Sequence, residues 1–351
     1  MNLNLLFLGY FITQIPPLTA RSTHIPYPPL PYQVLHEFSD PTWVENLAVR
    51  TNGQLLLNIL TAPEMYLLDP VVSGVPDLIF TFPEALGLGG IVELQTDIFY
   101  VNTGNFTLQT GSVNGSAIVW RVDMRQVGRG DLNKVVVEKV VEMPEALTLN
   151  GMDVLSRTES GGILLIADSG LGVLWKLDVT TKEYSTILAL PEMKSPPPPS
   201  LQNGLDGIRV RDGFLYFTNN EGDTFSRVLI DTQGHAVGPT QSIAFPFGDD
   251  FAFDSKGNIW VTSDQGDRVI VLEAGRAYVN ATVEGSSTQL TAVAGVTACK
   301  FGRSVATMHL LYASTNGGLS NPINGTLTEG GQVLAIDTSS FKFEEMDRTR
   351  M

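Results

Sequence analysis

Four short stretches of the chain each set an oxygen-bearing side chain just ahead of strand-forming residues: Glu45 in "WVENLAV", Asn150 in "TLNGMDV", Asn203 in "QNGLDGIRV" and Asp249 in "GDDFAFD". Two carboxylates and two amide carbonyls are hard donors, the set that one divalent cation, Ca²⁺ or Mg²⁺, would take. They are scattered between residues 45 and 249, so they act together only if the fold brings distant strands to one point.

A repeat supplies such a fold. Apolar runs closed by an acid recur as "MYLLD" to Asp69, "VWRVD" to Asp123, "LWKLD" to Asp178, "RVLID" to Asp231, "VIVLE" to Glu273 and "VLAID" to Asp337. Their spacing, roughly fifty residues, is that of a four-stranded propeller blade. Upstream of each lies a turn and a β-branched or aromatic run: "GQLLLNIL", "TDIFYVNTG", "GGILLIADSG", "DGFLYFTNN", "KGNIWVTSD" and "MHLLYASTN". These read as inner or middle strands. Six copies without a long amphipathic helix between them predict an all-β fold, a six-bladed β-propeller with four-stranded antiparallel blades, over residues 32–340. A strand near "YQVLHEF", Tyr32 to Phe38, is expected to complete the last blade beside "GGQVLAID", which protects the edge a broken ring would expose. Loops before the inner strands converge at the mouth of the central channel, where the four donors would meet.

Composition narrows the partners. The formal net charge of −15 works against nucleic acid or an anionic membrane, since either is approached against like charge. A cation or a neutral apolar ligand fits better. The N-terminal "MNLNLLFLGYFI" is too short to span a bilayer and is followed by small residues near Thr19 and Ala20, so residues 1–20 read as a secretory signal peptide. Residues 21–31 then form an N-terminal arm and 341–351 a C-terminal tail. Sequons at Asn105, Asn114, Asn280 and Asn324 agree with a secreted or secretory-pathway glycoprotein. The single cysteine, Cys299, excludes an internal disulfide, and with no basic partner in "VTACKFG" it reads as a buried, inert thiol. No two of the four histidines stand at metal-binding spacing, and His36 reads as structural. "GLGG" lacks the spacing of a phosphate loop, so no nucleotide cofactor is implied. The proline run in "MKSPPPPS" reads as a stiff loop.

The motifs "NGLDGIRVRDGFLYFTNN", "DDFAFDSKGNIWVT" and "VTACKFG" resemble those of the senescence-marker-protein-30, gluconolactonase and luciferin-regenerating-enzyme group of six-bladed propellers, across most of residues 32–340. The resemblance implies metal coordination by Glu45, Asn150, Asn203 and Asp249, with Asp249 also the general base of hydrolytic members. "GDD" stands where that family has Pro-Asp-Gly, which leaves Asp249 and Asp250 both open as the ligand. "ENLAVRTNGQLLLN" is more similar still to a fungal branch containing hetero-Diels-Alderases of tropolone-sesquiterpenoid biosynthesis, meroterpenoid secondary metabolism in which an o-quinone methide tropolone is joined to a humulene-type terpene.

The resemblance therefore implies cycloaddition or, alternatively, metal-dependent lactone hydrolysis on one scaffold. A lactonase needs a metal, a carboxylate base and oxyanion stabilisation. A cycloaddition catalyst needs chiefly an apolar pocket that holds two partners in near-attack geometry. Trp43, Met65, Tyr66, Met152, Phe245, Phe247 and Phe251 stand on mouth loops or near them. Of these, Trp43, Met152, Phe245, Phe247 and Phe251 are the expected ligand wall, and "IAFPFGDDFAF" is its densest stretch. They favour an apolar substrate, with Glu45 and Asp249 as the acidic groups beside it. A non-catalytic secreted binding propeller is the third reading, and convergence of the four donors counts against it.

Overall fold

In a computed structural model that describes residues 23–72, 74–128, 131–197, 202–244, 248–285 and 293–343, six sheets surround one axis. Their inner strands are Val44–Val49, Gly87–Gln95, Leu149–Arg157, Leu205–Arg211, Phe251–Phe253 and Val296–Phe301. The expected propeller is thus observed, with four-stranded antiparallel blades. The apolar runs closed by an acid belong to third strands, such as Ile118–Asp123 and Val173–Asp178, and the runs upstream of them to second strands.

Burial explains why these sequences form these strands. Second strands are sandwiched between neighbouring blades, so Leu55–Ile59 and Ile259–Ser263 are buried on both faces and read as unbroken apolar runs. Outer strands keep one wet face, and Val136–Glu142 accordingly alternates. Tight turns join inner to second strands. Asp212 and Gly213, with φ of 52° and 78°, form the two-residue connection between Leu205–Arg211 and Phe214–Asn219, the left-handed pair that matches strand twist.

Ring closure uses the N-terminal strand. Tyr32–Glu37 pairs antiparallel with Gln332–Asp337, from Tyr32 opposite Ile336 to Glu37 opposite Gln332, and completes blade 6 as expected. Within the segment read as an arm, Thr23–Pro26 adds a parallel fifth strand to the outer strand of blade 5, Arg276–Gly285. Residues 1–20, Phe245, Phe247 and the end of the proline run, 198–200, lie outside the described residues. Among the described residues no helix is long and apolar enough to cross a membrane.

Candidate functional site

The inner strands share a defect at their first residues. Pairing with the second strand slips between Val44 and Asn46, Leu88 and Ile91, Leu149 and Met152, Leu205 and Ile208, and Val296 and Ala298. A bulge of this kind re-aims side chains out of the regular pleat. The residues it displaces are Glu45, Gly89–Gly90, Asn150–Gly151, Asp206–Gly207 and Thr297; in blade 5, Asp249 and Asp250 precede a ladder that begins at Phe251.

Bulges also orphan backbone carbonyls, which must find donors when buried. The donors come from the preceding blade in every case. Asn58 Nδ2 donates to Gly89 O (2.9 Å), Asn102 Nδ2 to Asn150 O (2.7 Å) and Ser169 Oγ to Leu205 O (2.7 Å). Thr218 Oγ1 donates to Asp249 O (2.5 Å), Thr262 Oγ1 to Thr297 O (2.8 Å) and Thr297 Oγ1 to Val44 O (2.6 Å). The bonds run from blade to blade around the whole ring and fix the mouth residues relative to one another.

What they fix is a cluster of buried acids. Glu45, Asp206, Asp249 and Asp264 are each at most 6% exposed. Glu45 accepts the Trp43 indole N–H and is bonded to Asn150, while Asp206 and Asp264 are both bonded to Asn220. Burial, and then repulsion from Asp264 and Asp250, pushes Glu45 up to about 7 against the hydrogen bonds from Trp43 and Asn150. Burial followed by repulsion from the other acids holds Asp206 and Asp249 well above the usual carboxylate range. A carboxylic acid poised near neutrality can give or take a proton at working pH.

The structure thus brings Glu45, Asn150 and Asp249 to one mouth. Asp249 faces the cluster, whereas Asp250 turns away to Arg209 and Lys300. Asn203 lies in the loop three residues before the blade 4 bulge, with its backbone N–H on Glu221 Oε2 (3.0 Å), and Asp206 occupies the bulge itself. The sequence reading missed Asp206 and Asp264. Its signal for Asp206 was the doublet Asp206–Gly207, which repeats Asn150–Gly151 and Gly89–Gly90 one blade further on. The oxygen donors suit a hard cation by chemistry; among the described residues no three His, Cys, Asp or Glu side chains gather into a metal cage.

Further along the same inner strands, beginning at Ile91 and Met152 directly after the bulges and reaching Val49 and Phe301 at the strand ends, lies a cavity of about 360 Å³ to which all six blades contribute. Val49, Ile91, Met152, Ala252, Phe253 and Phe301 give it apolar walls, and Glu93, Asp153, Arg209, Lys300 and Arg303 are its charged members. Of the five residues expected to form the ligand wall, Met152 lines this cavity. Trp43 is held at the mouth by Glu45, and Phe251 is buried between blades, 4.8 Å from Phe225 and with the Arg209 guanidinium 5.4 Å from its ring. Asp153 is anchored by the backbone N–H groups of Val154 and Val210, and burial raises its pKa against the pull of Arg209. Cys299 is fully buried and its thiol is pushed up by burial, consistent with an inert role. His36 stacks edge-on against Phe38, with centroids 4.7 Å apart.

No protein-family model matches the chain. A protein of Phoma sp., provisionally named a hetero-Diels-Alderase, is 29% identical over 320 residues, covering 82% of this chain and 87% of that protein. Another of that provisional name, from Sarocladium schorii, is 28% identical over 358 residues, covering 90% and 85%. Among solved structures, a luciferin-regenerating enzyme superposes with a TM-score of 0.60 at 14% identity, covering 89% of this chain and 97% of that one. A calcium-binding regucalcin of Agrobacterium tumefaciens gives 0.59 at 14% identity, covering 90% and 95%. Both parts of the resemblance drawn from the motifs are therefore borne out, the second pair at the level of fold.

Proposed function

We propose that the chain catalyses a hetero-Diels–Alder cycloaddition between an o-quinone methide tropolone and a humulene-type sesquiterpene, with the axial cavity as the reaction chamber. The observation that carries the reading is the cavity's lining: apolar walls from several blades around a few charges held in place, in a chain similar to proteins provisionally named for this reaction. A cavity of about 360 Å³ is at the lower end of the range for small-molecule sites. Holding two partners in near-attack geometry can supply roughly 7–11 kcal/mol in ideal cases. A C–C and a C–O bond then form as the π bonds of heterodiene and alkene are consumed, with no group leaving.

The heterodiene arises when a tropolone alcohol loses water. Glu45, raised to about 7, is the proposed proton donor to the hydroxyl departing at the mouth, before the heterodiene passes into the cavity, while the tropolone hydroxyl releases the proton that balances the step. In the lactonase reading, Glu45, Asn150, Asn203 and Asp249 at the mouth are instead the proposed ligands of a divalent cation, which would supply Lewis-acid polarisation and neutralise the acids. The N-terminal segment is proposed to direct the chain into the secretory pathway.

Purified protein incubated with a tropolone alcohol and humulene, with and without EDTA, tests this, with products resolved by chiral chromatography. One enantiomer of adduct, formed at least tenfold faster than without protein and lost in Met152→Trp, is expected. Racemic adduct at the uncatalysed rate overturns it. The second reading, lactone hydrolysis, rests on the paired carboxylates Glu45 and Asp249, and EDTA-sensitive opening of aldonolactones without adduct would establish it instead.

A further inference from the structure

One buried carboxylate behind the cavity wall serves two of the cations that line it. Asp250 Oδ2 lies 2.8 Å from Arg209 Nη2 and 3.2 Å from Lys300 Nζ, and the Asp250 side chain is only 3% exposed. The remaining cavity charges are otherwise engaged: Arg303 pairs with Glu93, and Asp153 accepts two backbone N–H groups. At the Asp250 corner two cations thus share one carboxylate, and Asp153, the other acid that feels the charge of Arg209, is held on the backbone N–H groups of Val154 and Val210. An ammonium has three donors, and Lys300 donates to Asp250 behind the wall. Its side chain, 23% exposed, lines the cavity beside Phe301.

Arg209 is held as firmly. Nη1 donates to the Ile208 carbonyl and Nη2 to Asp250, and the guanidinium lies against the Phe251 ring. Two cations preset on one side of an apolar chamber suit a planar ligand that is apolar on its faces and bears adjacent oxygens at one edge. Such donors act most strongly where negative charge develops away from water.

We infer that Lys300 and Arg209 form an oxyanion subsite that binds the adjacent oxygens of a tropolone-type ring as an anion and holds the heterodiene oxygen during cycloaddition. For the identity of the ligand, the inference rests on the proposed cycloaddition. When C–C bond formation runs ahead of C–O bond formation, negative charge gathers on that oxygen before it closes on the alkene carbon. A cationic donor in contact with it lowers the barrier, and Lys300 and Arg209 are then catalytic residues. Asp250 is a positioning residue that sets both.

Tropolone itself is the probe, because its ultraviolet bands distinguish the neutral acid from the anion. Titrated with tropolone below its solution pKa, the wild-type protein should show the anion's spectrum. Lys300→Met, which leaves the Asp250–Arg209 pair intact, should bind at least tenfold more weakly and lose the anion bands, and Lys300→Arg should restore them. Melting of each variant by circular dichroism confirms that it is folded. Unchanged affinity and spectrum in folded Lys300→Met would overturn the subsite, as would failure of the wild type to bind tropolone. The two proposals separate cleanly: anion bands without adduct would leave the subsite standing and reject the cycloaddition, whereas adduct at an unchanged kcat in Lys300→Met would do the reverse.

Discussion

Glu45 of blade 1 is hydrogen-bonded to Asn150 of blade 3, across the inner strand of blade 2. Blade 2 has no side chain at that place in its bulge, only Gly89 and Gly90. A Cβ on Gly90 would stand 2.2 Å from the Asn150 carbonyl oxygen, and one on Gly89 2.4 Å from Asn102 Oδ1. The double glycine is what lets two blades touch over a third.

Gly90→Ala should consequently drive the bulges of blades 2 and 3 apart, since its obstruction is backbone that cannot swing aside. Overpacking of this kind costs about 1–3 kcal/mol. Thermal melting should show the loss, and the Trp43 fluorescence should change as Glu45 moves. Gly53→Ala, where a Cβ meets nothing within 4 Å but φ is +88°, separates backbone strain from collision. Equal behaviour of the two variants would dismiss the collision.

Stability should fall as pH rises across the neutral range. Glu45 titrates near 4.5 in the unfolded chain and near 7 in the fold, so between those values the native state holds a proton that the unfolded chain has released. Its contribution is complete below pH 4.5 and is lost as pH climbs through 7. Asp206 and Asp249, raised mainly by the same burial, act in the same direction. The melting temperature should be higher at pH 5.5 than at pH 8, and Glu45→Gln should flatten the slope by on the order of 2–3 kcal/mol, one pKa unit being about 1.4. Added Ca²⁺ should help more at pH 8 than at pH 5.5 where a cation neutralises the cluster. A melting temperature that rises with pH contradicts this account.

The blade-to-blade bonds give a third test. Thr218 Oγ1 donates to the Asp249 carbonyl and accepts the Gly207 N–H (2.8 Å), two groups that also bond each other at 3.1 Å, so Thr218→Val removes two buried hydrogen bonds without changing shape and leaves the backbone pair with one. A buried hydrogen bond contributes about 0.5–1.5 kcal/mol net. Denaturant unfolding should show a loss of that order, with an m-value unchanged. Thr218→Ser, which keeps the hydroxyl, should recover most of it. A neutral Thr218→Val would mean that the Gly207–Asp249 backbone bond alone holds the two blades together.

Much of the ring was legible because a propeller repeats its signal. Acid-closed third strands and doubly buried second strands recur with enough regularity to count blades, and "YQVLHEF" could be placed beside "GGQVLAID" because an unclosed ring would leave an edge bare. The site was legible only in part. Glu45, Asn150 and Asp249 could be found because each stands at the start of its inner strand, but a bulge shifts which residue faces the axis, so Asp206, three residues after Asn203, escaped the reading. Of the cavity, the sequence showed only Met152. The cavity's cations, Arg209 and Lys300, sit in the later halves of their inner strands, where alternation says only that one face is polar; the shared Asp250 that holds them exists only once blades 4, 5 and 6 have met.

If the chain passes through the secretory pathway as proposed, the fold separates its four sequons. Asn114 and Asn324 are exposed, each followed by a glycine of positive φ, Gly115 at 77° and Gly325 at 79°, so both lie on outward turns that can carry a glycan. Asn105 differs. Its Oδ1 is buried without a partner, and its backbone N–H is bonded to Ser116 Oγ, beside the short hairpin of Phe106–Thr107 and Gly111–Ser112. Asn280 is half-buried in mid-strand, paired with Leu272 on one side and His24 on the other. Peptide mapping of protein secreted from a yeast host should therefore find glycans on Asn114 and Asn324 and bare asparagine at 105 and 280. Asn114→Gln and Asn324→Gln together should collapse the protein to one unglycosylated band without lowering its melting temperature by more than about 0.5 kcal/mol equivalent, the usual limit for surface changes. Glycan on Asn105 or Asn280 in folded protein would show that the surface around them opens in a way the packed blades do not allow.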